Sequence, residues 1–474
     1  MPGKRGEVWN GAAALLAGLL LRAFFVWHHP RFVGDTLVYA DLARNLVTHG
    51  VYGLTENGAA RATLIRLPGY PLFLALCSMV FGTGNFLAVV WVQVVVDLLG
   101  CWLLGRTARR VFGDHVGLVC LWLAALCPFT ANYAAAALTE TLSIFCVALA
   151  LWAFAGWLSA SRGGDRALGW AAGLGAAWAG AVLLRPDGVL LAAAFAPPML
   201  WAARRRRPVQ TRLGALTGPF LALSILGACL GVWGLRNWRV FHVLQPLAPK
   251  YANDPGEPAP LGFARWYRTW GTGLGDTARV YWEYDGSVLN LDDLPPWAFD
   301  SLFQRQETAE IYDRYNAESS STPEVEAAFA RLAEERVRAH PVRFYAGLPL
   351  ARLGDMWLRP RTELLPKMPL VWWDSRVRPR AALFGWIYGG LNLALLACAA
   401  LGLVHWWKGG WAHAGALATA AVGVVLLRSG LLMTIDNSEP RYVLECYPVL
   451  LLLAAVAVGR WRQRYLQPAS ARRP

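Results

Sequence analysis

The amino-acid sequence predicts an all-α polytopic membrane protein with about ten transmembrane helices and an extracytoplasmic, α-rich domain. Of its 474 residues, 56% are hydrophobic and 16% are charged, against roughly 45–50% and 25% in soluble globular chains. Apolar stretches of about 20 residues, the length that crosses a bilayer, recur along the chain. A soluble fold could not cover so much apolar surface with so few charges. The composition therefore excludes a soluble globular protein, a disordered chain and a basic nucleic-acid-binding domain.

Ten stretches are predicted as spans because each is long and mostly apolar. They lie at about 9–27, 86–105, 115–133, 137–158, 168–184, 188–203, 214–235, 381–405, 411–432 and 440–459. The fifth and sixth are short enough to be tilted or partly re-entrant. The first is too long for a removable signal peptide and is poorly followed by a cleavage site, so it is expected to remain as an anchor.

Basic residues in the short loops predict the orientation, because cytoplasmic loops carry an excess of Lys and Arg. With the N-terminus inside, the inner segments are strongly basic, as at 106–110 and 204–207. Segment 236–380 instead contains equal numbers of basic and acidic residues. The net charge of +14 is therefore a sign of topology. Both termini are predicted in the cytoplasm, and the loop 28–85 and the segment 236–380 on the other side.

The first outer loop predicts a short amphipathic helix that lies on the membrane and ends at a glycine. At helical spacing the polar side chains of Asp41, Asn45 and Thr48 share one face, and apolar side chains share the other. Asp35 stands just before this helix, where a carboxylate can cap it and interact with its positive end. A role as a cap alone is the alternative to a catalytic role for Asp35.

The second outer segment predicts a small polar domain. It includes the run 308–339, in which Pro323 follows Ser and Thr residues at a helix start. Residues 340–358 are apolar but interrupted by charges, which favours an interfacial helix over an eleventh span. The chain is thus predicted to have three parts: a transmembrane module at 1–235, the extracytoplasmic domain at 236–380, and C-terminal transmembrane helices with a basic tail at 381–474.

Two acids and three arginines, far apart in sequence, are expected at the outer face of the bilayer. Asp35 and Arg66 lie in the first outer loop, Glu140 lies at the outer end of the fourth span, and Arg185 and Arg441 lie in outward turns. Ionisable residues at such depths are costly and are usually functional. For each arginine, anchoring to lipid headgroups remains the alternative.

Six short motifs occur in order along the transmembrane part. They are Gly34-Asp35-x3-Tyr39, Arg66-x-Pro68-Gly69-Tyr70-Pro71, Thr139-Glu140, Arg185-Pro186, Arg236-Asn237 and Pro440-Arg441-Tyr442. In this order and on this side, they resemble the GT-C glycosyltransferases, especially the branch of dolichyl-phosphate-mannose protein mannosyltransferases and lipid A aminoarabinose transferases. The resemblance covers nearly the whole transmembrane part and little of 245–380.

This resemblance implies transfer of a sugar from a polyprenyl-phosphate donor to an extracytoplasmic acceptor, with inversion at the anomeric carbon. It implies that Asp35 is the base for the acceptor hydroxyl and that Glu140 is a second acid that orients the acceptor or shares the proton. Three arginines are implied to hold the donor phosphate and three tyrosines to bind substrate: Arg66, Arg185 and Arg441, and Tyr39, Tyr70 and Tyr442.

One departure from the family concerns Thr36. Many relatives carry Asp-Glu where this chain has Asp35-Thr36. No second carboxylate is therefore expected in this loop, and a metal site that relied on it is not indicated. The cysteines form no CxxC pair, and the histidines lack metal-ligand spacing. No cofactor is expected, although a divalent metal remains open.

Two rival functions belong to other classes. One is a transporter or flippase of a lipid-linked sugar, and the other is a non-catalytic assembly partner with the same fold. Against a transporter or flippase, the sequence shows no inverted repeat, and its acids are expected at one face of the membrane rather than along a path through the bilayer. The predicted partners are the lipid-linked donor, an extracytoplasmic acceptor and the bilayer of the cytoplasmic membrane, without nucleic acid.

A further pair of charges lies inside the last two predicted spans. Arg428 and Glu445 are expected at a similar depth below the outer interface, and neither charge is cheap there alone. We therefore expect them to pair. The alternative is that Arg428 joins Arg441 at the donor phosphate.

Overall fold

The computed structural model describes residues 2–465 except 33, 161–165, 206–211, 285, 319, 370–371, 373–377 and 410–413. Arg206 and Arg207, two of the basic residues behind the predicted orientation, lie outside the described residues. The chain divides into two compact units. The first unit comprises Met1–Pro255, Leu393–Leu427 and Leu444–Pro474, and the second comprises Gly256–Asn392 and Arg428–Val443. The domain boundaries predicted at 235 and 380 stay a prediction.

Where the structure describes it, the N-terminal part of the first unit consists of helices and one β-hairpin. Its helices are α1 (Pro2–His28), α2 (Asp35–His49), α3 (Gly69–Phe81), α4 (Phe86–Phe112), α5 (Asp114–Ala125), α6 (Pro128–Tyr133), α7 (Glu140–Ala160), α8 (Ala167–Leu184), α9 (Val189–Arg204) and α10 (Arg212–Phe241). The hairpin consists of β1 (Gly53–Glu56) and β2 (Ala59–Ala62), which pair antiparallel.

The second unit begins with shorter helices, and three long helices close the chain. These are α11 (Leu261–Tyr267), α12 (Leu274–Asp276), α13 (Leu302–Glu318), α14 (Pro323–Ala339), α15 (Leu348–Leu358), α16 (Pro379–Lys408), α17 (Gly415–Leu432) and α18 (Tyr447–Tyr465). A 3-10 helix at Pro440–Cys446 precedes α18. The predicted all-α polytopic class is confirmed.

Within the described residues, eight helices are long and apolar enough to cross a membrane. They are Val8–His28, Phe86–Phe112, Glu140–Ala160, Ala167–Leu184, Leu216–Phe241, Pro379–Lys408, Gly415–Leu432 and Pro440–Trp461. The other two of the ten predicted spans form no helix of that length in the described residues. The stretch 115–133 is split into α5 and α6, because Pro128 lacks the N–H that a continuous helix would need there. The stretch 188–203 is α9, a 16-residue helix with two internal prolines.

The predicted amphipathic helix of the first outer loop is confirmed as α2, which ends at Gly50 in the left-handed conformation (φ +68°). Its polar face, however, contacts the hairpin. Thr55 of β1 donates its backbone N–H and its hydroxyl to Asp41 at 2.6 and 2.9 Å, and the Asn45 amide donates to Thr55 at 3.0 Å. The hairpin satisfies this face, so α2 does not lie alone on the membrane surface.

A buried ion pair lies inside the helix bundle of the first unit. Arg22 of α1 donates through Nε to Asp97 of α4 at 2.5 Å, and both side chains are buried. The remaining guanidinium nitrogens reach the carbonyl oxygens of Gly18 and Ala125 and the thiol of Cys101. The pair therefore ties α1, α4 and the end of α5 together.

The second unit has an aromatic core between α11, α13 and α14. Phe263, Trp266, Tyr315 and Phe329 are among its fully buried side chains. The predicted helix start at Pro323 is confirmed, since Thr322 caps α14 by accepting a hydrogen bond from Val325 N. Residues 340–358 form a π-helical turn and α15, which is shorter than a span.

Candidate active site

Asp35 and Arg66 form the first ion pair of the site. Asp35 begins α2 while Gly34 holds the N-cap position with φ +63°, so Asp35 is not the N-cap residue that one alternative made it. Arg66 Nη2 lies 3.1 Å from Asp35 Oδ1, with the two side chains 25% and 30% exposed. The Tyr52 hydroxyl donates to the Arg66 carbonyl oxygen at 3.0 Å, which fixes the backbone there. The pair is open to a ligand.

Glu140 and Arg185 form the second pair, which is far more buried. Glu140 begins α7 with its side chain 2% exposed, and Arg185 follows the end of α8. Their Oε1 and Nη1 atoms are 3.4 Å apart. Arg185 Nε also lies 3.2 Å from Glu445 Oε1 and 3.3 Å from Asp187 Oδ1. Three carboxylates from separate parts of the first unit therefore meet at one guanidinium.

The sequence reasoning missed Asp187 and gave Glu445 another partner. Asp187 follows Arg185 by two residues in the same turn, and Glu445 is an ionisable residue within an apolar stretch. Both features were signals that could have placed these carboxylates near Arg185. Arg428 donates through Nε to the Tyr442 carbonyl oxygen at 2.7 Å. The predicted pairing of Arg428 with Glu445 stays a prediction.

Tyr39 links the two pairs electrostatically. The pKa of Tyr39 is raised to about 12, chiefly by burial and then by the charge of Asp35, with a smaller rise from Glu140, while the charges of Arg66 and Arg185 lower it. The four charged groups therefore act on one phenol, which places both pairs in one neighbourhood. At neutral pH this phenol is protonated and can donate a hydrogen bond.

Tyr70 stands beside Tyr39 in the same site. Their rings meet edge to face at 5.1 Å, and Tyr70 is fully buried. Burial first, and then the charge of Glu140, raise the pKa of Tyr70 well above 10. Its hydroxyl donates to Gln93 Oε1 at 2.8 Å. Tyr70 is thus a fixed wall of the site, whereas its predicted role in binding substrate stays a prediction.

Arg236, from the fifth motif, holds the hairpin. It donates to the carbonyl oxygens of Tyr52 at 2.7 Å and Thr63 at 2.8 Å, the residues on either side of the hairpin. Its guanidinium also lies over the rings of Tyr52 and Trp233. This arginine anchors the first outer loop to α10.

Arg441 and Tyr442 belong to the second unit. Arg441 Nε lies 2.5 Å from Glu439 Oε2, and the Tyr442 hydroxyl donates to Glu439 Oε1 at 2.6 Å. The amide of Asn437 donates to the same oxygen at 3.0 Å. The nearly buried Glu439 thus fixes both predicted residues, whose part in donor binding stays a prediction.

A cavity of about 370 Å³ lies on another face of α2, between this helix, α3 and the start of α4. Its lining includes Asp41, Arg44, Ser78 and Asn85 but neither catalytic candidate. In the part of the chain that the structure describes, no three His, Cys, Asp or Glu side chains form a group that could hold a metal ion. The expectation that no cofactor is required stays a prediction.

Comparisons with known proteins support the resemblance. The family model of dolichyl-phosphate-mannose-protein mannosyltransferase matches residues 66–231. The archaeal oligosaccharyltransferase AglB from Archaeoglobus fulgidus, in complex with an inhibitory peptide and a dolichol-phosphate, has a similar fold. Its TM-score is 0.53 at 12% identity, with 98% of this chain and 51% of that chain covered. The oligosaccharyltransferase of the same organism tethered to an acceptor peptide also gives a TM-score of 0.53 at 12% identity, covering 99% and 52%.

A third structure, ArnT from Cupriavidus metallidurans in the apo state, gives a TM-score of 0.39 at 16% identity, covering 97% of this chain and 78% of that chain. The comparison with curated protein sequences found no match. The chain spans about half the length of the oligosaccharyltransferases that it matches. The predicted resemblance to the GT-C glycosyltransferases is confirmed.

Proposed function

We propose that the chain is a membrane glycosyltransferase that transfers a sugar from a polyprenyl-phosphate donor to a hydroxyl group of an extracytoplasmic acceptor. One observation carries the proposal: the ion pairs Asp35–Arg66 and Glu140–Arg185 lie on segments of the chain that hydrogen bonds hold side by side. Such a site holds carboxylates for proton transfer beside guanidinium groups for a phosphate. The matched family and the dolichol-phosphate bound to the archaeal oligosaccharyltransferase support a lipid-phosphate donor.

In the proposed reaction, the acceptor oxygen forms a bond to the anomeric carbon while the bond from that carbon to the phosphate oxygen breaks. The electron pair of the broken bond leaves with the polyprenyl phosphate, and Asp35 takes the proton of the acceptor hydroxyl. A positioned base of this kind contributes about 10²–10⁴-fold to the rate. Glu140 orients the acceptor or shares the proton.

The leaving phosphate gains negative charge, which a guanidinium can stabilise. Arg66 is suited to this because its pair with Asp35 is partly exposed, and because its five N–H donors can bind a phosphate without releasing the carboxylate. Arg185 is already held between three carboxylates. This arrangement favours a role in which Arg185 orients Glu140, with phosphate contact as a second role. Arg441 is proposed as a further phosphate ligand.

The site is proposed to face the extracytoplasmic side of the cytoplasmic membrane, with both termini in the cytoplasm. The basic inner loops support this orientation. Lipid-linked sugars suit this side, since nucleotide sugars are not available there. Tyr39, Tyr70 and Tyr442 are proposed to contact the substrate.

The test replaces the gene by a copy that encodes Asp35→Asn. Surface glycans, glycoproteins and lipids are compared by mass spectrometry with those of wild type. The expected result is loss of one glycan modification, while the purified variant still binds a polyprenyl-phosphate probe, since only the base is removed. Asp114→Asn, at the start of α5 and paired with Arg109 near the end of α4, is the matched control and should leave the glycans unchanged.

Unchanged glycans in the Asp35→Asn strain would contradict the proposal. A flippase would still move the lipid-linked sugar when the base is lost, and an assembly partner would depend on folding alone. The combination of retained lipid binding and lost transfer is therefore expected of an enzyme and of neither rival.

A further inference from the structure

We infer that Thr36 is a positioning residue that sets the spacing between the Asp35 and Glu140 carboxylates. This rests on the proposed function, because it assigns Thr36 a part in the same reaction. Thr36 follows Asp35 in α2, and its side chain is fully buried. Its hydroxyl donates to the carbonyl oxygen of Ala137 at 2.9 Å. Ala137 lies three residues before Glu140, so this bond joins the segments that carry the two acids.

Backbone hydrogen bonds hold the same two segments side by side. The Arg31 N–H donates to the Ala135 carbonyl oxygen, and the Ala137 N–H donates to the Arg31 carbonyl oxygen, both at 3.2 Å. These bonds form a parallel bridge between Arg31 and Ala136. The bridge aligns the segments, and the Thr36 hydroxyl adds a side-chain bond directly beside Asp35.

A third contact supports the turn before Glu140 from α4. Gln93 donates to the Ala136 carbonyl oxygen at 2.7 Å and accepts from the Tyr70 hydroxyl at 2.8 Å. Residues 134–137 are at most 1% exposed. Water cannot easily reach so buried a segment to replace a lost partner. Removal of the Thr36 hydroxyl therefore leaves the Ala137 carbonyl oxygen without this hydrogen-bond donor.

The consequence for catalysis follows from distance. Asp35 and Glu140 are proposed to act on one substrate, so their spacing has to be held. A displacement of about 1 Å in a reacting group can cost about 10²-fold in rate. Thr36 touches neither substrate nor reacting atoms in this scheme, and it acts through the position of the turn.

The experiment compares Thr36→Val, which keeps the shape but removes the hydroxyl, with Thr36→Ser, which keeps the hydroxyl. Transfer by the purified proteins is measured with a radiolabelled polyprenyl-phosphate sugar and membrane extract as acceptor. We expect Thr36→Val to lower kcat about 10- to 100-fold with donor KM unchanged within about twofold. We expect Thr36→Ser to retain at least about a third of kcat.

Thr107→Val is the matched control. Thr107 is also fully buried, and its hydroxyl donates to the Leu103 carbonyl oxygen at 2.8 Å within α4. This substitution also deletes a buried hydroxyl, but in a helix outside the two segments that carry Asp35 and Glu140. The kcat should therefore remain that of wild type. Equal kcat in Thr36→Val and wild type would overturn the inference, as would equal losses in Thr36→Val and Thr36→Ser.

Hydrogen–deuterium exchange separates this inference from the proposed function. Thr36→Val should speed exchange in the peptide that covers 134–140, and Thr36→Ser should not. Unchanged exchange in Thr36→Val overturns the inference even if the enzyme transfers sugar. A wild-type protein that transfers no sugar overturns the proposed function and the effect of Thr36 on the reaction with it, and the exchange result still tests the hydrogen bond from Thr36 to Ala137.

Discussion

At the scale of single residues, the two ion pairs of the site differ in how much stability is lost when their arginine moves. The Asp35–Arg66 pair is about a quarter exposed, and pairs near water are worth only about 0–1 kcal/mol. Little stability is therefore lost if Arg66 shifts to bind a phosphate in addition to Asp35. Glu140 is almost completely buried, and loss of its guanidinium partner would leave a charge uncompensated. The exposed Asp35–Arg66 pair is therefore suited to binding a ligand, and the buried Glu140–Arg185 pair is suited to holding Glu140 in a fixed position.

This contrast predicts different kinetics for two conservative changes. Arg66→Lys keeps the charge but loses the planar fork, so we expect donor KM to rise about tenfold with a smaller effect on kcat. Arg185→Lys should lower kcat instead, because one ammonium nitrogen cannot occupy the positions of both Nη1, which meets Glu140, and Nε, which meets Asp187 and Glu445. Initial rates against donor concentration measure both. A rise in donor KM for Arg185→Lys alone would reverse the assignment.

A second prediction concerns Glu140. Glu140→Gln keeps the size but removes the charge, and we expect kcat to fall about 10²-fold, in the range of a positioned acid or base. Glu56→Gln, which changes an exposed carboxylate paired with Arg61 on the hairpin, is the control. Transfer rates of the purified variants decide the matter. Wild-type kcat for Glu140→Gln would remove Glu140 from the catalytic machinery.

The order and sidedness of the motifs predict Asp35, Glu140 and three arginines, Arg66, Arg185 and Arg441, at one face of the bilayer, and this placement stays a prediction. The partners of each residue were not predictable, because ion pairing depends on tertiary distances between residues that are remote in sequence. The function of Thr36 illustrates this limit. Its replacement of a carboxylate is visible in the sequence, but the bond to Ala137 crosses about a hundred residues of chain.

Turning to the elements, hydropathy and length predicted the long helices well, because a bilayer span is defined by these two quantities. The break before Pro128 could have been anticipated, since proline removes a helix donor. The hairpin was missed although its turn is Asn57-Gly58, with positive φ at both residues (+49° and +81°). Such a pair is a strong hairpin signal, but its strands are only four residues each.

The buried Arg22–Asp97 pair gives a prediction about the packing of α1 on α4. Removal of one partner leaves a lone charge among apolar helices, so Arg22→Met or Asp97→Leu should each destabilise the protein by about 3–5 kcal/mol. The double variant should cost less than the sum of the two. Denaturant titration in detergent measures the free energies of unfolding. Strict additivity would show that the two charges are independent.

Another prediction concerns acid sensitivity of the second unit. Burial raises the pKa of Asp300, but the guanidinium groups of Arg343, at 2.7 and 2.9 Å, and Arg336 outweigh it and hold the pKa below its usual value. A carboxylate with a lowered folded pKa adds stability above its unfolded pKa and loses it as pH falls through the folded one. Asp300→Asn should therefore unfold more easily near neutral pH and lose less on acidification.

Thermal unfolding followed by tryptophan fluorescence, at neutral pH and in steps below about pH 5, measures the acid effect. Asp292→Asn is the control, because Asp292 is 85% exposed and lies 4.0 Å from Arg305. It should follow the wild-type curve. An Asp300→Asn protein with the full acid sensitivity of wild type would show that another carboxylate is responsible.

For the whole molecule, the contacts at helix ends bear on how often the chain crosses the bilayer. Arg31, just after α1, bonds to Ala135 and Ala137, just before α7. These ends therefore lie at one side of the membrane. Since α4 starts on that side and runs inward, α5 and α6 together have to lead back. Their 12 and six residues span roughly 27 Å, close to the hydrocarbon thickness.

The same reasoning applies to α9. Arg185 follows α8 and contacts Glu140, while Arg236 near the end of α10 binds Tyr52 and Thr63 of the first outer loop. The ends of α8 and α10 thus share one side, and α9 has to return the chain between them. Sixteen residues give about 24 Å, enough for a slightly thinned or tilted crossing. Ten crossings are therefore expected, although only eight of the described helices reach span length.

Reporter fusions test this topology. Alkaline phosphatase, active only outside the cytoplasm, should be active when fused after Ala137 or Gly188 and inactive after Gly113 or Arg205. A fluorescent protein that matures only inside should give the opposite pattern. Activity after Gly113 would mean that α4 does not cross, whereas inactivity after Ala137 would mean that α5 and α6 do not cross. The backbone bridge from Arg31 would then join opposite sides of the membrane, which hydrogen bonds of 3.2 Å do not allow, so either the bridge or the expected path would be wrong.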